Sequence, residues 1–197
     1  MQNLAKISDQ DSINWMRKLS EAYPSDIGIL SPLLLNLICL EPGQALFLPA
    51  GELHAYLEGL GIELMANSDN VLRGGLTDKH IDLPELLKVV NFKPRPIDLL
   101  ETNDRGKSEK SFITPASEFV LSLISVSEEK SYYSPTRRSA EILLCSDGQA
   151  DMQDVGSRSS INIKKGDSVL IPAAVKGYQI NGNGLFYKAG VPVRNDE

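Results

Sequence analysis

The sequence predicts a mainly β protein: two small β-barrels preceded by a short helical segment. Three observations predict it. From residue 112 onward, short apolar runs alternate with turns rich in Gly, Asp, Ser and Pro, the texture of an antiparallel β fold. Residues 43–49 and 166–172 both read glycine, five residues, proline, with an apolar run of strand length between, so one strand-and-turn unit occurs twice. The clearest helical spacing of apolar residues lies near the start, in residues 8–22.

Composition sets the outer bounds. A chain of 197 residues makes one large domain or two small ones, and 42% hydrophobic content suits a globular fold. A net charge of −6 without a Lys/Arg cluster argues against a nucleic-acid partner. Cys39 and Cys145 each lie in an apolar run and read as buried free thiols of a cytoplasmic protein rather than as a disulfide. The first ten residues hold no apolar signal core. The longest apolar run, residues 33–40, is broken by Asn36 and is too short to cross a membrane, so no membrane partner is expected.

The elements follow in order. Ser8 or Asp9 caps a helix that runs to about Ala22, with Ile13, Met16, Leu19 and Tyr23 on one side and Trp15 beside them. Pro24 ends it, so residues 1–24 form the helical segment. Pro32 opens residues 33–40, a continuous apolar run fit for a buried strand. Residues 45–48 form a second strand, Pro49-Ala50-Gly51 a turn, and residues 54–57 a third strand. Alternation puts His54 and Tyr56 on one face, Ala55 and Leu57 on the other. Asp82 caps a short helix with Pro84 in its first turn and Leu86, Leu87, Val89 and Val90 as its apolar face. Residues 25–100 are thus read as a first barrel, incomplete, that carries the site. Residues 101–111 are dense in charge, lack a large apolar side chain, and read as a linker. Residues 112–197 are read as the second barrel, with strands at 119–126, 142–145, 160–163 and 169–171 and corners at Gly148, Gly166, Gly182 and Gly184.

The two related stretches differ at one informative place. Five residues beyond Pro49 stands His54; five beyond Pro172 stands Gly177. The spacing Gly43, Pro49, Gly51, His54 resembles the second signature motif of the cupin (jelly-roll) barrels, whose histidine is a metal ligand. The second barrel keeps the geometry without that ligand and is expected to be metal-free. The wider context is more specific. Tyr23-Pro-Ser-Asp-Ile-Gly28, Pro32-Leu-Leu-Leu-Asn36, Pro49-Ala-Gly-Glu-Leu-His54-Ala-Tyr56 and Ala66-Asn-Ser-Asp69-Asn-Val-Leu-Arg73-Gly-Gly-Leu-Thr77-Asp-Lys79 resemble the type I mannose-6-phosphate isomerases. The resemblance is dense from residue 23 to 83 and weaker in the tail.

That resemblance implies a zinc-dependent aldose–ketose isomerase that interconverts mannose 6-phosphate and fructose 6-phosphate in the cytoplasm. It implies His54 as a metal ligand, Arg73 as a catalytic residue, and Tyr56, Glu63, Asp69 and Lys79 as residues lining the sugar-phosphate pocket. Each has a plainer reading beside it. His54 and Tyr56 can simply line a barrel, and Glu63 can be a surface carboxylate. Asp69 can be a turn residue and Arg73 its ion-pair partner; Lys79 and His80 can be solvated. The family's Gln-x-His pair, its glutamate ligand and an active-site lysine all precede a helical insertion, whose end residues 1–24 would match. This sequence has two histidines, His54 and His80, and no Gln-x-His, whereas zinc sites usually take at least three protein ligands. The chain is therefore expected to be the C-terminal portion of an isomerase, inactive alone, with a missing N-terminal segment or chain as its partner. The alternatives are a non-catalytic sugar-phosphate-binding or regulatory cupin, or one half of a split isomerase. The catalytic base is expected outside this sequence.

Overall fold

The computed structural model describes residues 8–68 and 70–193. They divide into two compact units, one built from residues up to 59 together with 68–99, the other from residues 60–67 together with 100 onward.

The first unit begins with helix α1 (Asp9–Ala22). Ser8 caps it through a reciprocal box: its hydroxyl accepts from the Asp11 amide at 3.3 Å and the Asp11 carboxylate accepts from the Ser8 amide at 2.9 Å. The Ser8 hydroxyl also donates to the Asp11 carboxylate at 2.7 Å, and this bond, then that from the Ser8 amide, holds the Asp11 carboxyl below its usual range. Leu19 is the buried member of the expected apolar stripe, while Ile13 stays half exposed. The Tyr23 amide closes the helix on the Leu19 carbonyl, and Pro24 follows. A 3-10 turn (Ile27–Leu30) and helix α2 (Ser31–Leu34) come next, and helix α3 (Leu83–Val89) lies near the unit's end, capped by Asp82 as the sequence suggests.

Two expectations for this unit are corrected. Residues 33–40 are not a buried strand. Pro32 enters the first turn of α2, where its fixed φ suits a helix, and the chain then runs on without regular structure. Leu33, Leu34, Leu35 and Leu40 are exposed, as is Cys39, which was read as buried. Residues 45–48 and 54–57 likewise form no strand pair among the described residues, although the turn between them does form. Apolar alternation proposes a strand, but only a neighbouring backbone ladder makes one.

The second unit is an antiparallel eight-stranded sheet: β1 (Thr102–Asp104), β2 (Glu109–Phe112), β3 (Val120–Val126), β4 (Tyr132–Tyr133), β5 (Glu141–Asp154), β6 (Ser160–Lys164), β7 (Ser168–Ile171) and β8 (Tyr178–Gly190). Two long strands organise it. β5 and β8 pair along their lengths, from Glu141 opposite Gly190 to Asp154 opposite Tyr178. The first part of β5 also pairs with β7 and its second part with β6; β8 pairs first with β4 and later with β3. A bulge between Cys145 and Asp147 lies where β5 passes from one neighbour to the other. Gly182, with φ +137, lets β8 bend there. A Cβ at that position would meet the Ala150 Cα at 2.8 Å, so only glycine fits. Gly166 sits in a turn as expected, whereas Gly148, Gly182 and Gly184 lie inside β5 and β8, not at strand ends.

The core between the two parts of the sheet is one cluster that includes Ile124, Leu143, Cys145, Ile163, Ile180 and Phe186, none more than 1% exposed. Burying each large side chain contributes about 1.5–3 kcal/mol.

The linker expectation for residues 101–111 is overturned. They form β1 and most of β2, registered Thr102 to Phe112 and Asp104 to Lys110. Charge density hid the pattern, because two of the inward positions are Glu109 and Ser111, both buried. Polar groups tolerate burial only when they are satisfied. Ser111 bonds Ser122 at 2.6 Å, and Glu109 accepts from Lys188 at 2.8 Å and from the Tyr132 hydroxyl at 3.1 Å. Lys188 also donates to the Tyr132 oxygen at 2.8 Å and pairs with Glu141 at 3.4 Å. Glu141 accepts from the Tyr178 hydroxyl at 2.9 Å and faces Arg138 at 3.5 Å. Burial, and then the neighbouring negative charges, push both tyrosine hydroxyls well above their usual range, so they remain protonated donors.

Candidate functional site

The site is built from two stretches of the first unit that no regular element joins. Residues 52–54, which follow the turn at Pro49-Ala50-Gly51, supply one wall. Gly51 has φ +85, and a Cβ there would meet the Val89 carbonyl oxygen at 2.6 Å, so the turn presses directly on the end of α3. The Asn91 amide donates to the Gly51 carbonyl at 2.9 Å, and the Asn91 side chain donates to the Glu52 carboxylate at 3.0 Å. These contacts fix the three residues that lead to His54.

His54 is oriented by its own turn. Its Nδ1 lies 2.9 Å from the Glu52 carbonyl oxygen. A carbonyl only accepts, so Nδ1 carries the proton and Nε2 carries the ring lone pair, the arrangement that second-shell bonds impose on metal-ligating imidazoles. Tyr56 packs edge-on to the His54 ring, 6.4 Å between centroids at 72°, and is itself 72% exposed. The expected sharing of one face by His54 and Tyr56 is met without a strand ladder.

Residues 72–77 supply the opposite wall. Glu52, Leu53, His54, Leu72, Arg73, Gly74, Gly75 and Thr77 line one open depression of about 250 Å³. That is below the roughly 300–1,000 Å³ of complete small-molecule pockets. His54 and Arg73, 19 positions apart in sequence, thus share one concavity with the Glu52 carboxylate and the Thr77 hydroxyl. The Lys79 amide donates to Thr77 Oγ1 at 3.2 Å, which places Lys79 just beyond the rim, with its side chain exposed. Glu63 lies in the short segment 60–67 assigned to the second unit. Asp69 lies outside the described residues.

Two lining residues had no assigned role in the sequence. Glu52 stands two before the histidine, where a carboxylate is a visible signal beside a ligand. Thr77 sits inside the quoted motif. Neither is distinguished by spacing alone.

Zinc fits this donor set only in part. His54 has the tautomer and exposure a ligand needs, but among the described residues no three His, Cys, Asp or Glu side chains converge to hold a metal ion. No reaction step is therefore derived through a metal on these residues alone.

The chain is similar to known proteins over most of its length. Residues 108–188 match the family model "Mannose-6-phosphate isomerase, cupin domain". The mannose-6-phosphate isomerase of Escherichia coli (strain K12) is 43% identical over 170 residues, covering 86% of this chain and 42% of that protein. Mannose-6-phosphate isomerase 1 of Arabidopsis thaliana is 33% identical over 178 residues, covering 90% and 41%. Among solved structures, mannose 6-phosphate isomerase from Salmonella typhimurium bound to substrate (fructose 6-phosphate) and a zinc atom superposes with a TM-score of 0.80 at 36% identity, covering 96% of this chain and 47% of that one. The chain spans somewhat less than half the length of the relatives it matches.

Proposed function

We propose that this chain, which resembles the mannose-6-phosphate isomerases over most of its length, contributes one wall of a zinc-dependent isomerase site acting on mannose 6-phosphate and fructose 6-phosphate. The observation that carries this is the meeting of His54 and Arg73 in one depression. The relatives and the substrate-bound neighbour supply the chemical class.

Aldose–ketose isomerisation moves a proton between C1 and C2 through an enediol. Arg73, which lines the depression beside Gly74 and Gly75, offers a planar pair of donors to enediolate or phosphate oxygens. The Thr77 hydroxyl and the Tyr56 ring flank the sugar, and Lys79, Glu63 and Asp69 are assigned to the same pocket by resemblance. His54 supplies one ligand to zinc, whose part is Lewis-acid polarisation of substrate oxygens. The remaining ligands and the catalytic base belong to the share of the isomerase that has no counterpart in these 197 residues. In this reading the first unit belongs to a barrel that needs further strands, and the second unit is a structural cupin-like barrel. The absence of a disulfide between Cys39 and Cys145, both free thiols, supports reading the chain as a protein of the reducing cytoplasm.

The test is Arg73→Lys and Arg73→Ala in the intact isomerase carrying this segment, with turnover, Michaelis constant and melting temperature measured together. Loss of about 10²-fold or more in turnover at unchanged melting temperature is expected. Near-normal turnover with a lowered melting temperature would make Arg73 structural and sink the assignment.

A further inference from the structure

We propose that Asp26 is the positioning residue that fixes the Arg73 wall of the depression, a role that rests on the reading above. Asp26 lies 47 positions before Arg73 in sequence and does not line the depression. Its carboxylate nevertheless holds two distant backbone points at once. One oxygen accepts from the Gly28 amide at 2.7 Å, the other from the Leu76 amide at 2.7 Å.

The Leu76 end of this clamp is under strain. Leu76 has φ +51, a left-handed conformation that a bulky side chain adopts only when its surroundings impose it. The Asp26 oxygen supplies that imposition. Gly74 and Gly75, between Arg73 and Leu76, restrain the chain little by themselves. The backbone that bears Arg73 is therefore pinned at two places. Gly74 packs so closely on Leu53, neighbour of His54, that a Cβ would lie 2.7 Å from Leu53 Cδ2. Leu76 is held by Asp26 three residues beyond Arg73.

Asp26 is itself well anchored. Its amide donates to the Tyr23 carbonyl at the end of α1 at 3.2 Å, and it caps the 3-10 turn that follows. Ser25, with φ +77, turns the chain sharply just before it. Gly28 completes the fit: a Cβ there would stand 2.9 Å from the Asp26 oxygen and 3.0 Å from Leu76 Cγ. The helix end thus reaches the site wall through one carboxylate, which needs two acceptor oxygens in a fixed plane. Asparagine can serve one amide but turns a donor toward the other.

The experiment has two arms. In the first, amide hydrogen exchange is followed in this 197-residue chain carrying Asp26→Asn or Asp26→Ala. Exchange at Leu76 is expected to accelerate by about tenfold or more, with α1 and the second unit unchanged. Unchanged protection of Leu76 in both variants overturns the clamp. Should Asp26→Ala fail to fold, the near-isosteric Asp26→Asn decides. The second arm places Asp26→Asn in the intact isomerase, alone and with Arg73→Lys. Turnover is expected to fall by about tenfold or more with the Michaelis constant within about threefold, and to fall little further when Asp26→Asn is added to Arg73→Lys. Independent, multiplying losses mean that Asp26 acts on stability alone, and the positioning role is refuted. If Arg73→Lys keeps full turnover, the functional reading fails, while exchange at Leu76 still scores the clamp.

Discussion

Lys188→Met should unfold the second unit at a much lower temperature, because of what it leaves behind rather than what it removes. The Lys188 ammonium lies 2.8 Å from Glu109 Oε1 and 3.4 Å from Glu141 Oε1, with side-chain exposures of 7%, 3% and 6%. At an effective dielectric of about 20, a pair at the shorter distance attracts by roughly 6 kcal/mol. Desolvation offsets most of that, so the intact cluster contributes little net stability. Methionine keeps the stem volume but takes from buried Glu109 its cation and leaves Glu141 paired with Arg138. An uncompensated buried charge costs about 3–5 kcal/mol. At roughly 4–8 °C per kcal/mol for a unit of this size, the melting temperature should fall by more than about 10 °C. The companion variant is Lys188→Met with Glu109→Gln. It removes one charge of each sign and leaves Glu141 with Arg138, the 3.5 Å pair. Scanning calorimetry should then show at least half of the loss recovered. A fall of under about 4 °C for the single variant, or losses that simply add in the double, would show that the charges are not coupled and refute the reasoning.

Three further outcomes follow from the same contacts. The folded pKa of Tyr132 and of Tyr178 lies above the ordinary tyrosine value, so above about pH 10 the unfolded chain ionises first and stability falls as pH rises. Ultraviolet titration should show these two of the six tyrosines silent until cooperative unfolding; early phenolate absorbance from all six would contradict their burial. Gly51→Ala should shift the His54 turn, because φ +85 and the Val89 oxygen at 2.6 Å both oppose a side chain, at a cost of roughly 1–2 kcal/mol or more. Amide chemical shifts of residues 52–54 that stay put would show the turn to be tolerant. The 197-residue chain should bind zinc more weakly than about micromolar, or −8 kcal/mol, in calorimetry; tighter stoichiometric binding would mean that the ligand set has been misjudged.

Local chemistry was legible in the sequence where it is self-contained. The Ser8 cap, Pro24 as the stop of α1, the Asp82 cap and the Gly166 turn all depend on neighbours a few residues away, and all are found. Strands β3, β6 and β7 were readable as short runs bounded by turn residues. Strand β8 was not, since its glycines resemble corners until β5 is seen passing beside them. Residues 101–111 were misread because inward glutamate and serine look like linker until Lys188 and Ser122, distant in sequence, come to meet them. In the first unit apolar pattern overstated regular structure, because pattern cannot report whether a partner strand is there. The site pair His54 and Arg73 came from resemblance; Asp26 was quoted in a motif, but a carboxylate that bonds an amide 50 residues away leaves no periodic trace.

The repeated Gly-x5-Pro unit shows how one local design is put to two uses. In the second unit residues 168–171 form a strand paired with β5, and the loop after Pro172 is held from within. Arg138 donates to the Pro172 carbonyl at 3.0 Å and to the Val175 carbonyl, faces Glu141, and stacks over the Tyr178 ring at 5.4 Å. Gly177, the counterpart of His54, is not forced by crowding: a Cβ there would have only an ordinary contact, 3.6 Å to Ser134 Oγ. Crowding at Cβ alone therefore does not account for the glycine. The guanidinium already supplies an interior cation, and a metal ion beside Arg138 and Lys188 would meet like charge. In the first unit the matching loop is held by Asn91 and the end of α3, and its histidine lines the same depression as Arg73. The first repeat thus carries its histidine at the candidate site. Filling the interior of the second commits that repeat to stability.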